Sequence, residues 1–598
     1  MKLSPISLAV LPLLTVFTAN AAVYQIVELD TTKTVRSTSG VAITMQGDVI
    51  VNGSTLLDFE LDLTEIDFDS DAIKALLTET QLADAKNGNI DSTVKSILIN
   101  YVASTAGMDR QPVGSLRVIR QTQNGLVEQV VLRDINNTKG NNEFAYAVNN
   151  LGQIAGIASA PTTKVTFTPT IVRGENEPEP EIPVIPQPFT VWVPEPGYQL
   201  GYVADGVNRI TLPPLFTELG GGMSVAQAIN NNGIVAGFTS VGASDALKTT
   251  INTTCNGNSQ PIQYCLNTQM LARGIGLGSM LSQVTLYGTV EGVSQGYQER
   301  AALWQLSDNS TAYVLRTFGF LGEGGTGDAA AISEEYSAPF YYSRASAIND
   351  SNIAVGHSLY SDTKRKISIY DNLGFESKRI YAAPHATVFN GEDVTGFINS
   401  EEWLASVAVD INNQNLITGY ALKNINSAVR NRLFIYDLNT ATLKFPMGFF
   451  NSSGTEPRAL NNSGQIVGRA EVIVGGTTTR RYHGFIYEHA TASFRDLNDL
   501  VGCQAPTIVD ATAINDDGEI LATALVRRPL LSLSGQEQKA EDGTVIMQEQ
   551  ATAVKLRPIA NGSPENCNAD EERYERKSGS FSLFWLMLLG ALPLARRR

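Results

Sequence analysis

Apolar residues in this chain come in short runs separated by clusters of Gly, Asn, Asp and Ser, the pattern of short strands joined by turns. One ten-residue phrase recurs within that pattern. It reads Ala-Val-Asn-Asn-Leu-Gly-Gln-Ile-Ala-Gly at 147–156 and Ala-Ile-Asn-Asn-Asn-Gly-Ile-Val-Ala-Gly at 228–237. Further copies start at Ala347, Asp410, Ala459 and Ala513, and a weaker one occupies 42–51. The sixth position is always Gly or Asn: Gly47, Gly152, Gly233, Asn352, Asn415, Gly464 and Gly518. Those residues tolerate the left-handed backbone best, so each phrase predicts a hairpin in which a strand ends, a tight turn follows and a second strand leaves.

A second phrase follows each copy, an apolar run usually ending in an aromatic. Examples are Phe189–Trp192, Ala301–Trp304, His385–Phe389, Leu433–Tyr436 and His483–Tyr487; Ala551–Lys555 lacks the aromatic, and Leu116–Arg120 is a degenerate first copy. A further short strand comes next, as at Ser493–Leu497. The unit is therefore four strands, a to d, clearest at Pro457–Asn461, Gln465–Val472, Tyr482–Tyr487 and Ser493–Leu497. Four-stranded units repeated around a ring make a β-propeller. Seven copies predict an all-β, seven-bladed propeller over residues 22–570, with Tyr24–Asp30 supplying the outer strand of the last blade so that no edge stays open.

Several segments depart from the repeat. Residues 52–113 carry three- and four-residue apolar spacing at Asp71–Leu82 and Ser92–Val102, which predicts a small helical insertion in the first blade. Residues 174–188 are rich in Pro and Glu, 240–297 hold a polar loop with two cysteines, and 524–550 are polar. The large insertions all fall between strands b and c, and the longer d–a linkers open on the same face. Variable loops on a rigid scaffold are where binding usually sits, so that face is the expected working surface.

Composition narrows the class. The formal charge is −16, which argues against nucleic-acid binding, and hydrophobic residues make up 43% of the chain, enough for a large core. The four cysteines are Cys255, Cys265, Cys503 and Cys567. An even count in an exported chain points to disulfides: Cys255 with Cys265 across the polar loop, and Cys503 with Cys567 by elimination.

Both ends read as addresses. Residues 1–21 have a basic start at Lys2, an apolar stretch and Ala19-Asn20-Ala21, the form of a secretory signal cut after Ala21 by signal peptidase. Residues 571–598 run from a charged stretch through Ser578-Gly579-Ser580 and an apolar segment, Phe581–Ala595, to Arg596-Arg597-Arg598. That order resembles the GlyGly-CTERM sorting signals of Gram-negative bacteria, with Ser-Gly-Ser in place of the Gly-Gly pair. The resemblance implies a transient transmembrane helix, cleavage near Ser578 and Gly579 by a rhomboid-type protease (rhombosortase), and release to the cell surface; a plain C-terminal anchor is the other reading. The two repeated phrases resemble the HAF repeat of extracellular proteins, with His385-Ala386 and His483-Gly484-Phe485 the nearest matches to its His-Ala-Phe motif. The whole chain also resembles an uncharacterised secreted family of marine gammaproteobacteria. Neither resemblance implies an activity.

Chemical motifs are sparse. Gly322–Gly327 matches G-x-G-x-x-G without a following βαβ unit, and Gly356-His-Ser-Leu-Tyr360 lacks the last glycine of a nucleophile elbow. The Asn-rich turns offer amides where a calcium loop needs carboxylates, and the acidic run Asp67–Asp71 reads as a solvated helix start. His385 and His483 share one repeat position, as structural residues would. No cofactor, metal or catalytic residue is expected. The favoured function is a non-catalytic surface module that binds a protein, glycan or envelope component. The alternative is an extracytoplasmic hydrolase or lyase whose groups converge on the looped face.

Overall fold

The computed structural model describes residues 22–565 and 571–572, apart from 32–34, 57–60, 105–110, 113, 115, 134–140, 170–185, 198, 257–259, 273–295, 308, 324–340, 362–364, 371–373, 475–477 and 533–534. The proposed cleavage residues Ala21, Ser578 and Gly579, the segment Phe581–Ala595 and Cys567 lie outside the described residues.

The chain forms a seven-bladed β-propeller of four-stranded antiparallel sheets. Blades 1 to 7 begin with the innermost strands Val35–Ile43, Glu143–Val148, Ser224–Ile229, Ser343–Ile348, Ala405–Ile411, Thr455–Leu460 and Thr507–Ile514. In blade 6 the remaining strands are Gln465–Val474, Arg480–Glu488 and Ser493–Asp496, within two residues of the sequence reading. Blade 7 takes its fourth strand from the other end of the chain. Tyr24–Glu28 pairs antiparallel with Met547–Pro558, from Tyr24 opposite Pro558 to Glu28 opposite Val554. The first strand thus covers an edge that would otherwise expose a row of unpaired backbone groups.

Local chemistry explains why the repeated phrase builds the hairpin. Its sixth residues all have positive φ, from 63° at Asn352 and Asn415 to 83° at Gly47. Its tenth residue is constrained differently. The innermost strand carries a bulge, as between Ala345 and Ala347, and a Cβ on Gly237, Gly356, Gly419 or Gly468 would overlap the carbonyl oxygen of the facing strand. Between blades, branched aliphatic side chains interlock; Val467, Ile486, Ile508 and Ile520 form one such seam between blades 6 and 7. Burying each contributes roughly 1.5–3 kcal/mol.

Three local expectations are corrected. Phe189–Trp192 is not the third strand of blade 2. Phe189–Pro194 pairs with Thr162–Phe167 as a separate hairpin, and Gln199–Asp205 holds the third position against Ile154–Ser159. Burial decides this: Leu200, Tyr202, Val203 and Ala204 are buried in the blade core, whereas Phe189 is 40% exposed. Asp71–Leu82 is not one helix. Asp71–Lys74 and Glu79–Lys86 are separate, because Thr78 and Gln81 form a capping box that starts the second. The Cys255–Cys265 segment is not a polar loop but a helical pair, Asp245–Thr254 and Ile262–Ala272, joined at its tip by the disulfide, with Cα atoms 5.6 Å apart. The sequence reading also missed a hairpin, Arg365–Tyr370 with Glu376–Tyr381, between strands b and c of blade 4.

Candidate functional site

The two mouths of the central channel are built on opposite plans. At the tight-turn mouth the first asparagine of each phrase does two jobs. The Asn230 Oδ1 accepts from the backbone N–H groups of Asn232 (3.1 Å) and Ile234 (2.9 Å), closing its own turn. Its Nδ2 donates to the Asn349 carbonyl of the next blade (3.0 Å). The same step repeats from Asn149 to Asn230, Asn349 to Asn412, Asn412 to Asn461, Asn461 to Asn515 and Asn515 to Thr44. The second residue makes a parallel circle: the N–H of Asn231 donates to Asp350 Oδ1 (2.9 Å), that of Asp350 to Asn413 Oδ1 (2.9 Å), and that of Asn462 to Asp516 Oδ1 (2.8 Å).

This amide belt spans six of the seven blade junctions. It opens between blades 1 and 2, because blade 1 has Thr44-Met45 where the others carry Asn followed by Asn or Asp. There a residue on strand b substitutes: Asn52 donates to the Ala145 carbonyl (3.0 Å) and accepts from its N–H (2.9 Å). The turn glycines named from the sequence sit in these turns, but the paired amides, which the sequence reading treated as turn formers alone, are what join neighbouring blades. The repeated Asn-Asn was the available signal, since a tight turn requires a special residue only at the sixth position.

The belt encloses a cavity of about 220 Å³, lined by its own amides and by a collar of Ile43, Val148, Ile229, Ile348, Ile411, Leu460 and Ile514. Burial opposes ionisation of Asp350, yet hydrogen bonds from Asn231 and Asn413 outweigh it and hold the carboxyl below its usual range. Asp410, just under the belt, shows the opposite balance. Burial pushes it up to about 7 against the N–H groups of Leu460 and Ile411. It bridges blades 5 and 6 rather than facing a reactant.

The looped mouth is divided. Over blades 1 to 3 the insertions touch one another. Lys164 of the blade 2 hairpin pairs with Glu65 of the blade 1 insertion, and Phe167 packs 6.2 Å from Tyr264 of the helical pair. The helical pair sends Leu247, Ile251, Leu266 and Met270 onto Ile157, Val225 and Phe238, with Leu116, Phe144 and Tyr146 alongside. That half of the mouth is covered by apolar packing. The blade 1 insertion has its own small core, including Ile73, Leu77, Val94 and Leu98.

From the junction of blades 3 and 4 round to blade 7 the mouth is charged. Glu299 holds Arg344 through two nitrogens (2.6 and 2.7 Å), and the guanidinium lies 4.6 Å from the Phe238 ring centre. Burial alone would depress Arg344, but the Glu299 carboxylate raises it. Beyond lie Arg469 with Glu456 (2.7 Å), Arg458 with Asp510 (3.2 Å), and Glu471 held by Arg430 (3.2 Å) and Arg480 (2.7 Å). His357 is buried with no hydrogen-bond partner for either ring nitrogen, and burial, aided by Arg344, pushes its pKa down to about 3. His385 and His483, paired by repeat position, part company: His385 reaches Ser406 Oγ at 3.4 Å, whereas His483 binds Asp496 Oδ2 at 2.7 Å.

Chemically, each carboxylate of this cluster is already held by a guanidinium, and the Tyr420 phenol is pushed up to about 12 by burial and then by Glu456. Among the described residues, no group of three or more His, Cys, Asp or Glu is placed to hold a metal ion. No helix of the described residues is long and apolar enough to cross a membrane. Of the predicted disulfides, Cys255–Cys265 is present; Cys503 is disulfide-bonded, and its assigned partner Cys567 is outside the described residues. The Cys503 backbone N–H donates to Glu565 (2.7 Å), which brings the chain just before Cys567 beside it.

A family described as "Protein of unknown function (DUF3466)" matches residues 1–598, and the chain belongs to it. No curated protein matches the chain. Among solved structures, TolB from Acinetobacter baumannii is similar over 45% of this chain and half of its own length, at 13% identity and a TM-score of 0.22, too distant to bear on function.

Proposed function

We propose that this member of the DUF3466 family is an exported, non-catalytic propeller that binds a surface protein, glycan or envelope component on its looped face. The observation that carries this is the division of that face. Contiguous insertions wall blades 1 to 3, and a cluster of arginines lies beside them with its carboxylates already paired. General acid–base catalysis needs a group in reach whose pKa lies near the working pH. Paired carboxylates, guanidiniums and a raised phenol do not supply it, whereas they suit recognition. The signal-like first 21 residues and the basic, apolar last 28 support export, with processing after Ala21 and near Ser578-Gly579 by signal peptidase and a rhomboid-type protease. The HAF-like repeat is consistent with an extracellular address.

Two measurements test the reading. Intact mass of protein recovered from the cell surface should lack residues 1–21 and Arg596–Arg598. Binding to purified envelope fractions should fall when 244–296 is replaced by a short linker and persist when tight turns are altered. Cytoplasmic full-length protein, or turnover of a substrate abolished by changes on the looped face, would overturn it.

A further inference from the structure

The innermost strand of every blade carries a bulge at the same level of the ring. The extra residue is Tyr146, Gln227, Ser346, Arg458 or Thr512 in blades 2, 3, 4, 6 and 7, and Val41 or Val409 in blades 1 and 5. Each innermost strand is the end member of its sheet, so its free edge faces the central channel, and a bulge there turns the extra side chain toward the bore. Burial agrees. All seven are partly exposed, and in blades 2 to 7 the residue before each is buried. Two residues further on stands the aliphatic collar that begins with Ile43 and Val148. From the looped mouth, the channel thus passes a ring of unlike side chains before an apolar one. Tyr146 and Gln227 hydrogen-bond each other across blades 2 and 3, and burial pushes the phenol up to about 12, so it keeps its proton. The ions bordering the ring cancel: Arg344, Arg458 and Arg469 stand against Glu299, Glu456 and Asp510, and each is paired within that group.

We propose that the looped half of the channel, at the level of these bulges, holds a neutral sugar, either free or as the end of a glycan. This deepens the binding reading given above and rests on it. A pyranose carries hydroxyls around its edge and C–H groups on its two faces. Lying across the bore, it turns its edge to Tyr146, Gln227, Ser346 and Thr512 and one face to the collar. Each sugar hydroxyl both donates and accepts, and phenol, amide and hydroxyl groups answer in both senses. Apolar surface with a few convergent polar groups is the general form of a small-molecule site. A charged ligand is disfavoured, because the bordering ions already neutralise one another and would have to be unpaired to meet it. The helical pair packs on Phe144 and Tyr146 and so walls one side of the entrance.

The test is saturation-transfer NMR of the mature protein with glucose, galactose, mannose and N-acetylglucosamine, and with glucuronate and glucosamine as charged controls. At least one neutral sugar should bind, and neither charged control should bind as tightly. Titration of the bound sugar should show Tyr146→Phe and Gln227→Leu each weakening it about fivefold, the effect of one lost hydrogen bond. Ser346→Tyr, which fills the bore, should abolish binding. Leu151→Ala, in an exposed turn at the opposite mouth, should leave it unchanged. Thermal midpoints report whether each variant folds, and if Ser346→Tyr does not, the two near-isosteric variants decide. Equal or tighter binding of the matching disaccharide and its oligomers assigns the end of a glycan, and binding of the monosaccharide alone assigns a free sugar. No binding of any of the four neutral sugars, equal binding of a charged control, or indifference to the substitutions overturns the proposal. The two readings fail separately: envelope binding that needs 244–296 but survives Tyr146→Phe, Gln227→Leu and Ser346→Tyr would leave the first standing and remove the second.

Discussion

The tight-turn face and the looped face use the same seven blades in opposite ways. On the first, one chemical device is copied around the ring: an asparagine closes its own turn and reaches the next blade. On the second, each junction has its own solution, such as an apolar helical pair over blades 2 and 3, the Glu299–Arg344 clasp between blades 3 and 4, or the arginines of blades 5 and 6. The difference separates stability from specialisation. A belt of amides that satisfy one another has little left for a ligand, whereas a face of unlike junctions can be altered one sector at a time without opening the ring.

The most severe way to break this comparison is to remove what both faces depend on. Deleting residues 22–30 strips the partner from Val554–Pro558 and leaves the outer edge of the last blade open, and the ring should no longer unfold as one unit. Circular dichroism melts and size-exclusion chromatography would show a lost cooperative transition and aggregation.

A smaller but still large loss is expected from Asn349→Ala. The N–H groups of Ser351 and Ile353 and the Asn412 carbonyl each lose a partner, which should cost about 3 kcal/mol in urea unfolding. Truncating the exposed Leu151 in the equivalent turn of blade 2 should cost almost nothing.

Next comes pH. Folded Asp410 keeps its proton up to about 7, whereas an unfolded chain releases it near 3.8. The folded state therefore binds the proton more tightly, and stability present below about pH 4 is lost as pH rises toward 7. Thermal midpoints across that window should show the decline, and Asp410→Asn should flatten it. A variant as pH-sensitive as the parent would show that the slope arises elsewhere.

Thr44→Asn sharpens the contrast from the other side. It supplies the missing belt amide at the junction of blades 1 and 2 and should raise stability by about 1 kcal/mol. The smallest global effect belongs to Cys255→Ser. The disulfide closes only the tip of the helical pair, so hydrogen exchange should quicken in 245–272 while the main unfolding transition barely moves.

The ring was legible in the sequence because each turn glycine or asparagine acts within its own ten residues. The belt was less so: one Asn can be read as a turn former, and its second role appears only when residue 230 is seen beside residue 349. Phe189–Trp192 looked like a blade strand because its composition matches the others, but Pro194 and Pro196 end it, and the better-buried Gln199–Asp205 wins the position. The break at Thr78 was readable, since Thr-Glu-Thr-Gln is a capping-box sequence. The arginine cluster was not, because its members run from residue 430 to 510 and meet only through blade packing.

The pairing of Tyr24 with Pro558 also sets an order of events. A chain made from its N-terminus produces its first strand when its partner lies more than five hundred residues ahead. Six blades can assemble from neighbouring segments while that strand waits. The last blade and the first strand then close the circle in a single late step with a large loop-closure cost. A ribosome that stops early, or a protease that clips the chain before residue 547, therefore leaves a row of blades with no means of becoming a ring.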